Sequence, residues 1–436
     1  MAELSGYGAA DLPPKPAGAA QLLRLRYQFL GAVVLAVIVP VALRWGFYFP
    51  GWLQDVQVNT AAGSALAILF GIIIMHQMEP LPGVRRASYI VPAMMFAFGV
   101  VLLIFFFARI DYNRFLFPVS LGIAIVWLYL LQVAFGHLAR PRLLIVPGGD
   151  GATLLDVRGV DWAMLSEPRL SGLRCDGIVA DLRADLPEDW TRFVADAVLQ
   201  GVPVYHVRQV QESLTGRVEI AHLSENTLGS LNPASIYMQS KQLADWLSAL
   251  VLLPLLLPLC ALLAIAIKLD SKGPILFTQK RIGFRGEVFT CYKFRTMRMD
   301  DAAPVAGKAA AERAMTRDND PRITRIGRWL RPCRIDELPQ VINILRGEMS
   351  WVGPRPEAVP LSELYARKLP FYQYRHIVPP GITGWVQVNQ GHVVAVDQVQ
   401  EKLHYDFYYI KNFSFWLDML ILFRTIGTVI TGFGAR

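Results

Sequence analysis

Apolar residues in this chain gather in blocks of membrane-crossing length. Four of them occupy Tyr27 to Leu43, Ala61 to Met78, Ser88 to Ala108 and Phe115 to Phe135, and each approaches the roughly twenty residues that a spanning helix needs. After Arg142 the texture changes. Short apolar runs (Leu143 to Val146, Gly177 to Ala180, Val202 to Tyr205) alternate with helical stretches such as Trp190 to Leu199, a pattern that predicts a small α/β domain with a parallel sheet ending near Asn232. A fifth apolar block, Trp246 to Ile267, contains Pro254 and Pro258. Proline removes a helical hydrogen bond and forces a bend. Beyond it lies a basic α/β-like region from Pro274 to about Asn389, then a helical stretch over Phe413 to Ile430 that fits either a membrane interface or a packed core.

Flanking charge orients the blocks. Lys15, Arg24, Arg26, Arg85, Arg86, Arg140 and Arg142 lie on one side, against Arg44, Arg109 and Arg114 on the other. The positive-inside rule therefore puts the N-terminus and everything after residue 140 in the cytoplasm. A full crossing by the fifth block would carry the basic segment after Lys268 outside. A kinked hairpin that enters and returns avoids this, the alternative being an ordinary fifth span with tolerated prolines. The first 26 residues, rich in Ala, Pro and Gly, read as a cytosolic tail without a cleavable signal.

Composition sharpens this picture. Of 436 residues 53% are hydrophobic, too many for an ordinary soluble protein, and the net charge is +8. Lys268 to Arg331 holds fifteen Lys and Arg against seven Asp and Glu, which suits anionic lipid or a nucleotide. No nucleic-acid motif accompanies the charge, so nucleic acid is set aside. Four cysteines, Cys175, Cys260, Cys291 and Cys333, show no CxxC spacing, which indicates neither a zinc site nor a disulfide framework. Pro147 to Gly151 resembles a dinucleotide-binding turn only loosely, because the third glycine of GxGxxG is missing. A structural or regulatory domain without cofactor is expected there.

The densest chemistry lies in Arg331-Pro-Cys-Arg-Ile-Asp-Glu-Leu-Pro-Gln340 and Gly353-Pro-Arg-Pro-Glu357. Leu338, Val341, Ile342 and Leu345 follow helical spacing, which predicts a helix with Asp336 as N-cap and Pro339 in the first turn. A helix N-terminus beside Arg331, Arg334 and Arg355 suits a phosphate or diphosphate. A carboxylate beside a bound phosphate is either a nucleophile or a metal ligand. Asp245, before the apolar hairpin, is expected to pair with a basic group, and Asp300, Asp301, Asp318 and Asp320 read as a solvated linker.

Further segments complete a recognisable set: Lys241-Gln-Leu-Ala-Asp245, Gly273-Pro-Ile-Leu-Phe-Thr-Gln-Lys-Arg281, Tyr292-Lys-Phe-Arg-Thr-Met297, Asp320-Pro-Arg-Ile-Thr324, Pro380-Gly-Ile-Thr-Gly384 and Tyr405-Asp-Phe-Tyr-Tyr-Ile-Lys411. In this order the chain resembles the polyprenyl-phosphate glycosyl-1-phosphate transferases, bacterial sugar transferases that start exopolysaccharide, capsule and O-antigen synthesis, in their large form. The resemblance implies a membrane α plus α/β fold. Its expected parts are a four-helix transmembrane bundle (27–140), a Rossmann-like α/β domain (141–232) and a monotopic catalytic domain (238–436) with a re-entrant helix-break-helix over 246–267, broken at Pro254 and Pro258.

The resemblance further implies transfer of a sugar 1-phosphate from a nucleotide sugar, a UDP-hexose, to undecaprenyl phosphate, with Mg2+, in the bacterial inner membrane. It also implies a homodimer. Carried over by motif, Asp336 is the nucleophile and Glu337 its partner, both available to the metal. Arg331, Arg355, Lys293 and Arg295 are expected at phosphate or nucleotide, and Lys280 and Arg281 at lipid phosphate or simply on a solvated basic face. The family usually has Arg or Lys where this chain has Pro379, with Arg375 and His376 as nearby substitutes. Competing readings are a transporter, weakened because no span carries a central ionisable residue apart from the marginal His76, a silent assembly scaffold, and a sugar transferase that moves no phosphate.

Overall fold

The computed structural model describes residues 25–45, 55–77, 87–135, 141–169, 175–218, 235–298, 322–369, 371–390 and 396–431. Most of the N-terminal tail, the boundary near Asn232, Arg85, Arg86, Arg140, Met78 and the four linker aspartates lie outside them. The chain divides into two compact units, 1–216 and 217–436.

In the first unit, α1 (Leu25–Val33) and α2 (Val39–Trp45) are joined by a π-helical turn, Val34–Ile38. Val39 N–H reaches Val34 O. The widening lies just before Pro40, which has no N–H for the normal ladder. Then come α3 (Asp55–Gln77), α4 (Ala87–Phe107) and α5 (Leu116–Phe135). Close approach depends on small residues, as between membrane helices generally. A Cβ on Gly63 would lie 2.2 Å from the Phe105 ring, and one on Gly31 2.4 Å from Trp127. Polar ties are local: Asn113 N donates to Thr60 Oγ1 at 2.8 Å and Trp127 Nε1 to Gln28 O at 3.3 Å.

The parallel sheet of this unit runs in the order β2-β1-β3-β4, with β1 (Arg142–Ile145), β2 (Asp161–Met164), β3 (Gly177–Ala180) and β4 (Val204–His206). One face packs Leu144, Ile178 and Ala180 against Phe193 and Ala197 of α6 (Glu188–Leu199). The other packs Leu143, Ile145 and Val179 against Leu154 and against Val207 and Val210 of α7 (Val207–Thr215). Burial on both faces explains why the central strands β1 and β3 read as continuous apolar runs. At the glycine turn, Asp181 Oδ2 accepts from Asp150 N at 3.1 Å, and a Cβ on Gly149 (φ 56°) would strike that carboxylate. The Asp150 N–H of this turn is therefore already engaged within the domain.

The second unit opens with α8, Ser235–Asp270, a continuous helix of 36 residues that contains both Pro254 and Pro258. The segment expected to form a helix-break-helix is helical throughout, with both prolines inside it. Each proline removes one rung, and with the two four residues apart the missing donors fall on nearly the same face. At about 1.5 Å per residue α8 is about 54 Å long, beyond the thickness of a hydrocarbon core. Ala249, Leu253, Leu256, Cys260, Leu263 and Ile267 pack inward, while Val251, Leu255, Leu262, Ile265 and Leu269 form an exposed apolar stripe. Five helices in all, among the described residues, are long and apolar enough to cross a membrane.

Both ends of α8 are tied to the same unit. Near its start Lys241 pairs with Asp418 at 2.6 Å and Asp245 at 3.6 Å, Tyr237 and Tyr409 hydroxyls donate to Asp418, and Ser350 Oγ donates to Asp245. At its far end Asp270 Oδ2 accepts from Ile326 N at 3.1 Å. Around it lie the antiparallel hairpin β5 (Leu276–Ile282) and β6 (Val288–Phe294), helix α9 (Arg325–Leu330), a 3-10 turn Ile335–Gln340 and α10 (Val341–Leu345). The chain continues through β7 (Ser350–Val352), α11 (Val359–Lys368), a 3-10 turn Tyr372–Ile377, β8 (Gly381–Thr383, parallel to β7), α12 (Trp385–Asn389), α13 (Val396–Lys411) and α14 (Phe415–Thr431). Asp418, Leu417, Leu420 and Ile421 of α14 are buried, which settles that helix as packed into the unit along this face.

Asn343 of α10, fully buried, acts as a substitute strand along the free edge of β6. Its Oδ1 accepts from Tyr292 N at 3.2 Å and its Nδ2 donates to Thr290 O at 2.7 Å. Asn343→Ala leaves that N–H and C=O unpaired in the interior, at about 1–3 kcal/mol. The thermal unfolding midpoint of the detergent-solubilised protein should fall accordingly, and an unchanged midpoint would refute this role.

Candidate active site

The two adjacent carboxylates sit in the 3-10 turn rather than at a helix cap. Arg334 takes the cap position in a left-handed conformation (φ 55°), its N–H bonded to Arg331 O, and Glu337 N–H returns to Arg334 O. Asp336 is therefore a first-turn residue, not the expected N-cap, because the chain has already reversed at Arg334. In a 3-10 turn successive side chains diverge by about 120°. Glu337 points inward, 5% exposed, while Asp336 stays half-buried toward the surface.

Glu337 is gripped from two other elements. Lys293, on β6, reaches Oε1 at 2.8 Å. Arg355, in the loop between β7 and α11, reaches Oε1 at 2.5 Å and Oε2 at 3.2 Å. Burial alone would raise the Glu337 carboxyl, but Arg355 and Lys293 outweigh it and hold the group well below the ordinary range. The same pairing raises the Arg355 guanidinium, whereas burial lowers the Lys293 ammonium against the pull of Glu337.

Asp336 takes none of these bonds among the described residues. Burial pushes its carboxyl up and the neighbouring Glu337 charge adds to this, while Lys293, Arg355 and Arg331 pull it down. The two carboxylates are thus chemically unequal, one paired and firmly anionic, the other uncommitted beside three cations. Mg2+ typically takes one or two carboxylates and completes its shell with water and substrate phosphate. Asp336 with Glu337 fits that use, whereas among the described residues no group of three or more His, Cys, Asp and Glu sits ready to hold an ion.

The other expected residues divide. Arg331, at the end of α9, acts on Asp336 through its charge. Arg281 supports Arg355 indirectly, donating Nη1 to Pro356 O and Nη2 to Gln279 Oε1. Lys280 projects from β5 as an exposed residue. Arg295 is elsewhere: almost fully buried, it donates to Lys272 O (2.9 Å), Ser271 O (2.6 Å) and Ser271 Oγ (2.9 Å), closing the C-terminal end of α8. The expectation that Arg295 stands at a diphosphate gives way to this capping role. Arg375 is likewise interior. It pairs with Asp406 at 2.9 Å and donates to Arg355 O at 2.9 Å and the Tyr372 hydroxyl at 2.8 Å, so it does not present its charge as a substitute at Pro379. Sequence reasoning missed this second cluster, which includes Glu357 and Lys402.

Comparison with known proteins agrees with the geometry. The bacterial sugar transferase family profile matches residues 236–432. The chain is 42% identical over 409 residues to the UDP-N-acetylgalactosamine-undecaprenyl-phosphate N-acetylgalactosaminephosphotransferase of Aeromonas hydrophila, covering 94% of this chain and 95% of that protein. It is 45% identical over 194 residues to the undecaprenyl-phosphate glucose phosphotransferase of Komagataeibacter xylinus, covering 43% of this chain and 35% of the relative. Against the UDP-glucose:undecaprenyl-phosphate glucose-1-phosphate transferase of Escherichia coli (strain K12) it is 39% identical over 188 residues, covering 43% and 39%. Similarity along nearly the whole length of the first relative, with the family profile lying over the unit that carries Asp336 and Glu337, makes this chain a member of the bacterial sugar transferases, the polyprenyl-phosphate glycosyl-1-phosphate transferases that its motifs resemble.

Proposed function

We propose that this protein transfers a sugar 1-phosphate from a UDP-sugar to undecaprenyl phosphate through a covalent Asp336 intermediate. The observation that carries the reading is the inequality of the carboxylates. Glu337 is paired with Lys293 and Arg355, and Asp336 is left beside the same cations. An Asp336 oxygen attacks the phosphorus that bears the sugar, and the bond to the bridging diphosphate oxygen breaks. UMP leaves with that oxygen. A phosphate oxygen of undecaprenyl phosphate then attacks the same phosphorus, freeing the carboxylate and leaving a lipid diphosphosugar. Lys293, Arg355 and Arg331 stabilise the charge that gathers on the phosphoryl oxygens. Mg2+ held by Asp336 and Glu337 would neutralise donor diphosphate charge.

The name of the relative matched over 95% of its length puts UDP-N-acetylgalactosamine first among donors to test, ahead of the UDP-glucose in the name of the Escherichia coli relative, matched over 39% of its length. The same reading makes α1 to α5 a four-helix transmembrane bundle in the bacterial inner membrane, allows pairing of two copies, and gives α8 a re-entrant course with catalysis on the cytoplasmic face. Supporting that course, Lys241 at one end of α8 and Asp270 at the other both bond to the same globular unit, which a full crossing would put on opposite sides of the bilayer.

Three outcomes test this. With a panel of UDP-sugars, undecaprenyl phosphate and Mg2+, the parent should release UMP, and Asp336→Asn should lose at least about a thousandfold of that rate while keeping its unfolding midpoint. Release of UDP instead would mean that no phosphate is moved, and a fully active Asp336→Asn would remove Asp336 as nucleophile. The pH dependence has a definite sign. Asp336 must be ionised to attack, and its carboxyl is raised, so kcat/KM should fall as pH drops through a value above the ordinary carboxylate range. Lys293→Gln removes a charge that pulls Asp336 down and should move this limb upward, whereas a limb at or below the ordinary range would contradict the assignment. Finally, in a chain whose four native cysteines are replaced, Lys272→Cys should resist an impermeant thiol reagent in intact cells and label after permeabilisation. Labelling in intact cells would make α8 a fifth span.

A further inference from the structure

Arg355 grips Glu337 with its side chain, but its own place is set through the main chain of residues 354–358. Gly381 N–H donates to Pro354 O at 3.0 Å, Ile282 N–H to Glu357 O at 3.1 Å, and Arg281 to Pro356 O. The carbonyl of Arg355 itself accepts from a buried cation, Arg375 Nη2, at 2.9 Å.

The Arg375 side chain is 2% exposed and lies beside two carboxylates, Asp406 at 2.9 Å and Glu357 at 3.9 Å. Its other terminal nitrogen is fixed on the Tyr372 hydroxyl at 2.8 Å. Glu357 also pairs with Lys402. A guanidinium desolvated to this degree is expensive unless every partner is in place. The two terminal nitrogens of its planar fork bond the Arg355 carbonyl and the Tyr372 hydroxyl while two carboxylates lie within ion-pair distance, an arrangement that a lysine ammonium cannot reproduce.

We propose that Arg375 is a positioning residue for the transfer reaction, holding the Arg355 backbone so that the Arg355 guanidinium stays on Glu337 and over the phosphoryl site. It touches no reacting atom, and its effect passes through Arg355. Asp406, from α13, and Tyr372, from the 3-10 turn before β8, hold Arg375 in turn. A contact outside the reacting centre thus governs one of the cations at the centre. The catalytic part of this inference rests on the transferase reading above, whereas the positioning part does not.

The test uses full-length protein in detergent and two readouts. Arg375→Lys keeps the charge but loses the fork. It should lower kcat about 10- to 100-fold, as a misplacement of about 1 Å at a reacting site does, with KM changed less than threefold. In an Arg355→Ala background the same substitution should have little further effect on kcat, because the residue it positions is already gone. An equal loss in both backgrounds would show a general structural role and overturn the proposal.

The second readout needs no substrate. Amide hydrogen exchange in the 353–358 segment should quicken at least tenfold in Arg375→Lys, while β6 and α8 keep the parent's protection. Unchanged exchange in 353–358 would also overturn the proposal. If Arg375→Lys does not fold, Tyr372→Phe, which removes one anchor of the fork and leaves the buried charges in place, should show the same direction in both readouts at smaller size. Absence of both effects in that variant would count against positioning. Should the parent transfer no sugar phosphate from any donor, the transferase reading fails, and the exchange result alone still decides whether Arg375 holds the Arg355 segment.

Discussion

The second unit depends on one buried ionic junction, Glu337 with Lys293 and Arg355. Its three members come from separate places: a 3-10 turn, the strand β6 and the loop between β7 and α11. Removing one partner from such a junction leaves an uncompensated buried charge at about 3–5 kcal/mol. An apolar core would have stabilised the fold at least as well. The junction persists because it fixes two cations around a carboxylate pair, a task that packing alone cannot perform. Asn343 fixes the edge of β6 on which Lys293 lies, and Arg375 fixes the carbonyl of Arg355. The junction is therefore held at both outer corners by buried hydrogen bonds.

A second constraint connects this junction to α8. Lys241, Asp245 and Asp418 bind the start of the helix, and Arg295 closes its end. Arg295 follows β6 directly, so the strand that supplies Lys293 to the site also supplies the cap of the membrane-length helix. The distance from the apolar stripe of α8 to Glu337 is thereby set by one short piece of backbone.

Much of this was legible in the sequence, and the failures are instructive. Membrane-length helices stood out, as did strands β1 and β3, because burial on both faces writes continuous apolar runs. Strand β2, Asp161–Met164, did not stand out, since only Ala163 of its four residues is buried at the sheet edge. Lys293 and Arg295 looked equivalent, two residues apart in one motif. They part because β6 ends at Phe294, so the strand's two-residue period no longer governs Arg295. The helical spacing after Leu338 was real, but it could not reveal that Arg334 reverses the chain with a positive φ. The buried role of Arg375 was hidden for a different reason. Its partners Arg355, Glu357 and Asp406 lie 18 to 31 residues away, and no local pattern distinguishes such an arginine from one facing solvent.

The inequality of Asp336 and Glu337 follows from these restraints taken together. Two adjacent carboxylates without cations would share a proton, each raising the other. Here one formal negative charge, Glu337, meets two positive ones, Lys293 and Arg355, so the junction presents one net positive charge to Asp336 and to any phosphate above it. Burial raises both groups, but at Glu337 the paired Arg355 and Lys293 outweigh it, whereas at Asp336, which has no such pairing among the described residues, it prevails. With a raised pKa and no such pairing, Asp336 is the carboxylate that the proposed reaction would use as its nucleophile. The 3-10 turn thus sends one side chain into the junction and leaves its neighbour at the edge.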